Sequence, residues 1–287
     1  KAIREITKGS DYINLFAKEY EKLDKDNLID KVRDEIIESK NLTDYTDHRA
    51  GTLKTFVKKK SKPQDSYSVR CSPQVFGASL HAMRHVRSVI KDELNAAVDN
   101  PLIFTKDDRV ISGGNFHGQP IALVMDYLKL AVAEIGNIVE RQINKLVDDT
   151  TNDCLPPFLT NDGGLNSGLM IPQYAAASIV SENKVLVHPA SADSIPTCAN
   201  TEDHVSMGTI AARQALQIVR NVKKIISIAI LNSHHGFMLR EAQLKTFGLN
   251  DLKQSKRTAD FYNKIKNVVP GLENANALDM DRFVYDD

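Results

Sequence analysis

Along most of this chain apolar residues recur every three or four positions, the spacing of helices that bury one face. Over the first forty residues Tyr12, Ile13, Leu15, Phe16, Tyr20, Leu23, Leu28, Ile29, Val32, Ile36 and Ile37 sit among many charges and predict amphipathic helices. The pattern breaks from Asn41 to Pro63, where Lys58-Lys59-Lys60-Ser61-Lys62 reads as a solvated loop. A helix is predicted from about Gln74 to Val98, ending before the turn Asp99-Asn100-Pro101. Leu102-Ile103-Phe104 and Val110-Ile111, separated by polar residues, predict a small hairpin. After the loop Gly113 to Gly118, Pro120 occupies a first-turn position, and Ile121, Val124, Leu128, Val132, Ile135, Val139, Ile143 and Leu146 mark a helix about 40 Å long. Met207, Ala211, Ala215, Ile218, Val222, Ile225 and Ala229 mark a second long helix, with Glu202 and Asp203 near the favourable end of its dipole. Between the two lie a long Gly-, Asn- and Pro-rich loop, Asn152 to Pro172, and a further helix over Ala175 to Val187. The expected fold is therefore all-α, a long-helix bundle with its chemistry on the connecting loops. Residues 1–63 are expected to form a helical segment and linker, and residues 64–287 the bundle core.

Charge changes this picture little. Lys plus Arg and Asp plus Glu are each 37, a formal charge of zero, so nothing calls for nucleic acid. The most apolar stretch, Ile121 to Val147, contains Asp126, Lys129, Glu134 and Glu140 and is too charged to span lipid. Cys71, Cys154 and Cys198 are odd in number and widely spaced, the pattern of reduced thiols in a cytoplasmic protein. No methionine occurs before Met83, so the chain is expected to have been processed or cut, or to lack residues ahead of Lys1.

His81 and His85 share a helix face, but a third ligand and a catalytic Glu are missing; His234 and His235 diverge by about 100°. No metal is expected. Gly113-Gly114-Asn115-Phe116-His117-Gly118 matches neither a phosphate loop nor a dinucleotide fingerprint, so no nucleotide is expected either. It offers flexible backbone, a flat aromatic and an imidazole ahead of a helix, and suits a binding loop or an ordinary helix start equally. The segment from Gln64 to Gln74 brings Gln64, Tyr67 and Arg70 within seven residues. A guanidinium is shaped to hold a carboxylate and a phenol can shuttle a proton, although the same residues also suit a plain surface turn. His188 to Gly208 is dense in hydrogen-bonding side chains and carries Glu202, a candidate general base or partner for a cationic ligand, or a helix cap.

Together, Gln64-Asp65-Ser66-Tyr67-Ser68-Val69-Arg70-Cys71, Gly113-Gly114-Asn115-Phe116-His117 and Ser194 to Gly208 resemble three motifs of the histidine ammonia-lyases, within the aromatic amino acid ammonia-lyase family. Ser66 stands for that family's Ala, Cys198 for its Ser and Thr201 for its Gln. The resemblance implies elimination of ammonia from L-histidine to give urocanate, in histidine catabolism. It further implies a methylidene-imidazolone electrophile made from an Ala-Ser-Gly triplet that this chain does not contain. By the same resemblance Arg70 binds the substrate carboxylate, Tyr67 lies beside the electrophile, and Gln64 and Asn115 hydrogen-bond nearby. Phe116 packs on electrophile or substrate, and Glu202 contacts the imidazole or takes the proton. A homotetramer with sites shared among subunits is implied as well. A phenylalanine or tyrosine ammonia-lyase or aminomutase is the rival enzyme, disfavoured because such relatives place an amide near Glu202. A non-catalytic helical oligomerisation fragment is the rival outside enzymology.

Overall fold

The computed structural model describes Lys8 and residues 64–160, 163–246 and 253–269; the helices expected over the first forty residues and the basic run at 58–62 lie outside them. Helix α1, Tyr67–Arg70, is a single turn followed by α2, Ser72–Leu94, whose Pro73 needs no hydrogen-bond donor in the first turn. The Ser72 hydroxyl donates to the Val69 carbonyl at 2.8 Å and joins the two. α2 stops four residues short of the expected Val98. Asn95 ends it with its own N–H on the Asp92 carbonyl at 3.1 Å and its side-chain amide on the Lys91 carbonyl at 2.6 Å, while the Ala96 N–H takes the Glu93 carbonyl at 3.2 Å, which satisfies carbonyls a longer helix would have used.

The hairpin pairs β1, Leu102–Phe104, with β2, Arg109–Ile111, in antiparallel register, Leu102 opposite Ile111 and Phe104 opposite Arg109. Then come α3, Gln119–Val147, and α4, Met170–Leu186, which starts before the expected Ala175 because Pro172 is accepted in its first turn. α5, Gly208–Thr246, runs well past Ala229, and α6, Lys256–Val268, is capped by the Ser255 hydroxyl accepting from the Thr258 N–H. Apart from the hairpin and two isolated bridges, the regular structure of the described residues is helical, an all-α architecture of long helices.

The chain divides into two compact units, and α3, α4 and α5 each pass from one to the other. In the unit of residues 67–141 and 175–226, Val132 and Ala133 of α3 pack on Ile218 and Val222 of α5, with Leu128, Ile135 and Leu186 against them. Gly136 permits this approach, since a β-carbon there would stand 3.1 Å from Val222 and 3.2 Å from Ile225. Asn221 adds a buried polar rung, donating to Asn183 at 2.8 Å and Glu182 at 3.0 Å and accepting from Gln217 at 2.9 Å.

In the other unit, Val147, Leu155, Leu159, Leu169 and Leu231 form the core. Its loop over 152–169 is pinned to α5: Arg240 donates to the Asp153 carbonyl at 2.7 Å, Gln243 to Cys154 at 3.0 Å, and the His235 imidazole bonds the Leu159 carbonyl at 2.8 Å. Gly168, at φ +51, has no room for a β-carbon, which would lie 2.4 Å from the Phe158 oxygen.

Candidate active site

The Gln64 motif folds as a surface turn of defined shape. Tyr67 and Arg70, three apart in α1, share a face, and the Arg70 guanidinium carbon sits 4.6 Å from the Tyr67 ring centroid. Tyr67 is 70% exposed, and Gln64 and Arg70 are exposed as well. Stacking on the phenol restricts the guanidinium before any carboxylate arrives, which lowers the entropy lost on binding one.

The glycine loop is shaped by a residue that sequence reading treated only as part of a turn. Asn100 accepts through its side-chain oxygen from the Ser112 hydroxyl at 3.1 Å and the Gly113 N–H at 3.0 Å. Asn115 donates to the Ala97 carbonyl at 3.5 Å, and the His117 N–H closes a tight turn onto Gly114 at 3.0 Å. Phe116, at the tip, is 54% exposed. An aromatic ring left this open, like Tyr67, is apolar area that the chain itself does not cover.

The polar run from His188 to Met207 is anchored by a buried ion pair. Lys129, fully buried on α3, is ion-paired with the Asp126 carboxylate at 2.6 Å and donates to the His188 carbonyl at 2.7 Å and the Gln214 side-chain oxygen at 2.6 Å. Asp126 in turn accepts from the Ser191 N–H at 2.7 Å. Burial alone would raise the Asp126 carboxyl, but the hydrogen bonds from Lys129 and Ser191 and the Lys129 charge outweigh it and hold it below the usual carboxylate range.

Further along, Thr197 and Glu202 exchange backbone hydrogen bonds at 2.9 and 3.3 Å, and the Thr197 hydroxyl donates to the Glu202 carboxylate at 2.5 Å. The Ser194 hydroxyl accepts the Val205 N–H at 2.9 Å. Between Thr197 and Thr201, Cys198, Ala199 and Asn200 all have positive φ, of 51, 52 and 69°. Each such non-glycine residue costs about 1–2 kcal/mol, a strain that the surrounding bonds must offset. The loop thus presents Glu202 on a braced but strained platform.

This corrects one expectation. α5 begins at Gly208, after Met207 at φ 55°, so Glu202 and Asp203 stand ahead of its first turn and gain little from its dipole. The helix-cap alternative for Glu202 falls with it.

The 113–118 and 194–207 loops meet. His117 Nε2 lies 2.9 Å from the His204 carbonyl, and a β-carbon on Gly118 would be 3.0 Å from the Ser206 hydroxyl. Of the residues singled out from sequence, the structure pairs Tyr67 with Arg70, and joins the loop of Asn115 and Phe116 to the loop of Glu202; Gln64 stands outside both pairs. His81 and His85 are exposed on α2, and among the described residues no cluster of three or more His, Cys, Asp or Glu is arranged for a metal. No described helix is long and apolar enough to cross a membrane. Cys71, Cys154 and Cys198 form no disulfide. Sequence reading missed Thr197, Asn100 and the Asp126–Lys129 pair; only the last had a signal, opposite charges three apart on a helix.

The family model for aromatic amino acid lyases matches residues 4–267. The histidine ammonia-lyase of Caldanaerobacter subterraneus is 51% identical over 224 residues, covering 78% of this chain and 41% of that protein. The chain spans about two fifths of the length of the curated relatives it matches, with 41%, 43% and 40% for three of them. Among solved structures, histidine ammonia-lyase from Trypanosoma cruzi aligns at a TM-score of 0.69 with 41% identity, over 82% of this chain and 46% of that one. The phenylalanine aminomutase of Pantoea agglomerans aligns at 0.70 with 33% identity, over 78% and 42%.

Proposed function

Because the chain belongs to the aromatic amino acid lyase family, we propose that it is the C-terminal part of a histidine ammonia-lyase, which removes ammonia from L-histidine to give urocanate. The observation that carries this reading is the Glu202 carboxylate, held by Thr197 on a braced loop beside the Phe116 loop. A carboxylate suits an imidazole N–H or imidazolium; a phenyl ring offers it no donor.

Arg70 binds the substrate carboxylate, its guanidinium oriented by Tyr67. Glu202 bonds the imidazole or accepts the β-proton, and the Thr197 hydroxyl, bonded to one of its oxygens, restrains rotation of the carboxylate. Gln64 and Asn115 contribute hydrogen bonds near the substrate. The methylidene-imidazolone expected from the family would supply the electrophile that makes the amine a leaving group. Tyr67 and Phe116, whose rings this chain leaves uncovered, fit a role bordering that group. The β-proton of histidine is weakly acidic, so fixed geometry of base and carboxylate is needed whatever activates the amine.

A homotetramer in the cytoplasm belongs to the same proposal. Its support is apolar surface: Leu123, Tyr127 and Leu130 of α3 recur at i, i+4 and i+7 and are exposed, as are Ile171, Tyr174 and Val185 of α4. The similarity to an aminomutase supports a phenylalanine or tyrosine enzyme as a second reading, against which Glu202 argues. A purely oligomerising fragment is the third.

Urocanate absorbance on incubation with L-histidine tests the proposal. The full-length polypeptide is expected to produce urocanate, and residues 1–287 alone are expected to produce none, because they contain no Ala-Ser-Gly. A full-length protein that leaves histidine untouched refutes the activity; urocanate from the isolated chain refutes its being an incomplete part.

A further inference from the structure

His117 separates Phe116 from the first turn of α3, and its two ring nitrogens face different backbone groups. Nδ1 lies 3.3 Å from the Gln119 N–H, and Nε2 lies 2.9 Å from the His204 carbonyl oxygen. An N–H donates and a carbonyl accepts, so both bonds form only if Nδ1 is bare and Nε2 carries the proton, one particular tautomer of the neutral ring. The Gln119 N–H is among the donors that α3 leaves without a helical partner, so one edge of the ring caps the helix. The opposite edge pins the backbone two residues beyond Glu202. His204 Nδ1, 3.5 Å from the same Nε2, and the two rings, tilted by 34° at 5.4 Å between centroids, add contact along the junction.

From this geometry we infer that His117 is a positioning residue for Glu202, a rigid strut that sets the gap between the loop bearing Phe116 and the loop bearing the carboxylate. The consequence for catalysis rests on the ammonia-lyase reading above; the strut itself does not. The bonds from Thr197 to Glu202 and from Ser194 to Val205 close the 194–207 loop on itself. They brace its shape and leave its placement open. Hydrogen bonding from the 113–118 loop to the 194–207 loop runs through the His117 ring, whose other edge is fixed to α3. With three left-handed residues straining the segment before Glu202, loss of that tie lets the loop shift while its internal bonds persist. A misplacement of about 1 Å at a general base costs up to roughly 100-fold in rate.

Two amides divide the two edges of the ring. The oxygen of Asn reproduces Nδ1, so His117→Asn keeps the α3 cap and loses the link to His204. The amide nitrogen of Gln reaches the position of Nε2, so His117→Gln keeps the link and loses the cap. In the full-length protein, kcat and KM for L-histidine are measured for wild type and both variants, together with hydrogen exchange of the amides of Thr197, Glu202 and Val205. His117→Asn is expected to lower kcat by about 10- to 100-fold with KM within about threefold, and to speed exchange of those amides, at little change in melting temperature. His117→Gln is expected to restore kcat and slow exchange while melting slightly earlier. Wild-type kcat and exchange in His117→Asn, or equal losses in both variants, would overturn the strut. If wild type makes no urocanate, the activity reading fails and the exchange comparison alone decides the strut.

Discussion

Removing the ammonium of Lys129 tests the anchor of the Glu202 loop. The side chain is fully buried, and its nitrogen makes three polar contacts at 2.6–2.7 Å: an ion pair with the Asp126 carboxylate and hydrogen bonds to the His188 carbonyl and the Gln214 amide oxygen. Lys129→Met keeps much of the volume and deletes all three bonds. The Asp126 carboxylate, with a side chain only 9% exposed, is left with the Ser191 N–H, and the His188 and Gln214 oxygens, in partly buried bonds, lose their donor. Breaking a buried pair from one side costs about 3–5 kcal/mol, most of it from the stranded charge. Lys129→Met is therefore expected to lose about that much in denaturant unfolding followed by circular dichroism, with an unchanged slope. Asp126→Asn combined with Lys129→Met removes the stranded charge and should recover about half of the loss. Since His188 and Ser191 open the segment that ends at Glu202, the single variant should also lower turnover more than KM. A loss below about 1 kcal/mol, or a double variant no better than the single one, would refute the reasoning.

Two further outcomes follow from other sites. Arg70→Lys keeps the charge but removes the planar fork stacked on Tyr67; losing charge-assisted bonds of roughly 1.5–3 kcal/mol should lower kcat/KM for histidine about tenfold to a few hundredfold, and near wild-type kinetics in both Arg70→Lys and Arg70→Ala would return this segment to a plain surface turn. His234 is buried, and among the described residues neither of its ring nitrogens has a hydrogen-bond partner. Burial, with the Lys266 charge, holds its pKa below the ordinary 6.5. The unfolded chain then binds a proton that the folded one refuses, so stability is full above about pH 6.5 and falls as pH drops below it. His234→Phe should flatten the decline between about pH 7 and 5 in melting temperature; an unchanged slope contradicts it.

The helices were legible wherever the apolar spacing was unbroken, as from Ile121 to Leu146 in α3. The length of α5 was not, because Asn232, Ser233, His234 and His235 interrupt the stripe and read as an end, whereas Asn232 and His234 are buried within the helix. Asp126 and Lys129 were legible only as charges that forbid a membrane span; their burial depends on the His188 carbonyl and Gln214, 59 and 85 residues away from Lys129. The three motif segments stood out as dense chemistry, and the family could be read from them. Their bracing could not, since a left-handed turn built from Cys198, Ala199 and Asn200 has none of the glycine that usually announces one.

The most direct test of the account is kcat/KM of the full-length protein for L-histidine, L-phenylalanine and L-tyrosine, in wild type and in Glu202→Gln. A phenyl ring offers no donor to the Glu202 oxygen that Thr197 does not occupy, and a site built to bond a substrate N–H discriminates against an analogue lacking it by factors of about 10⁴. Wild type is expected to prefer histidine by about that margin, and Glu202→Gln, which keeps the shape and removes the charge, to lose roughly 100-fold or more in kcat for histidine. A wild type that prefers phenylalanine or tyrosine, or a Glu202→Gln variant with undiminished histidine turnover, would contradict the account.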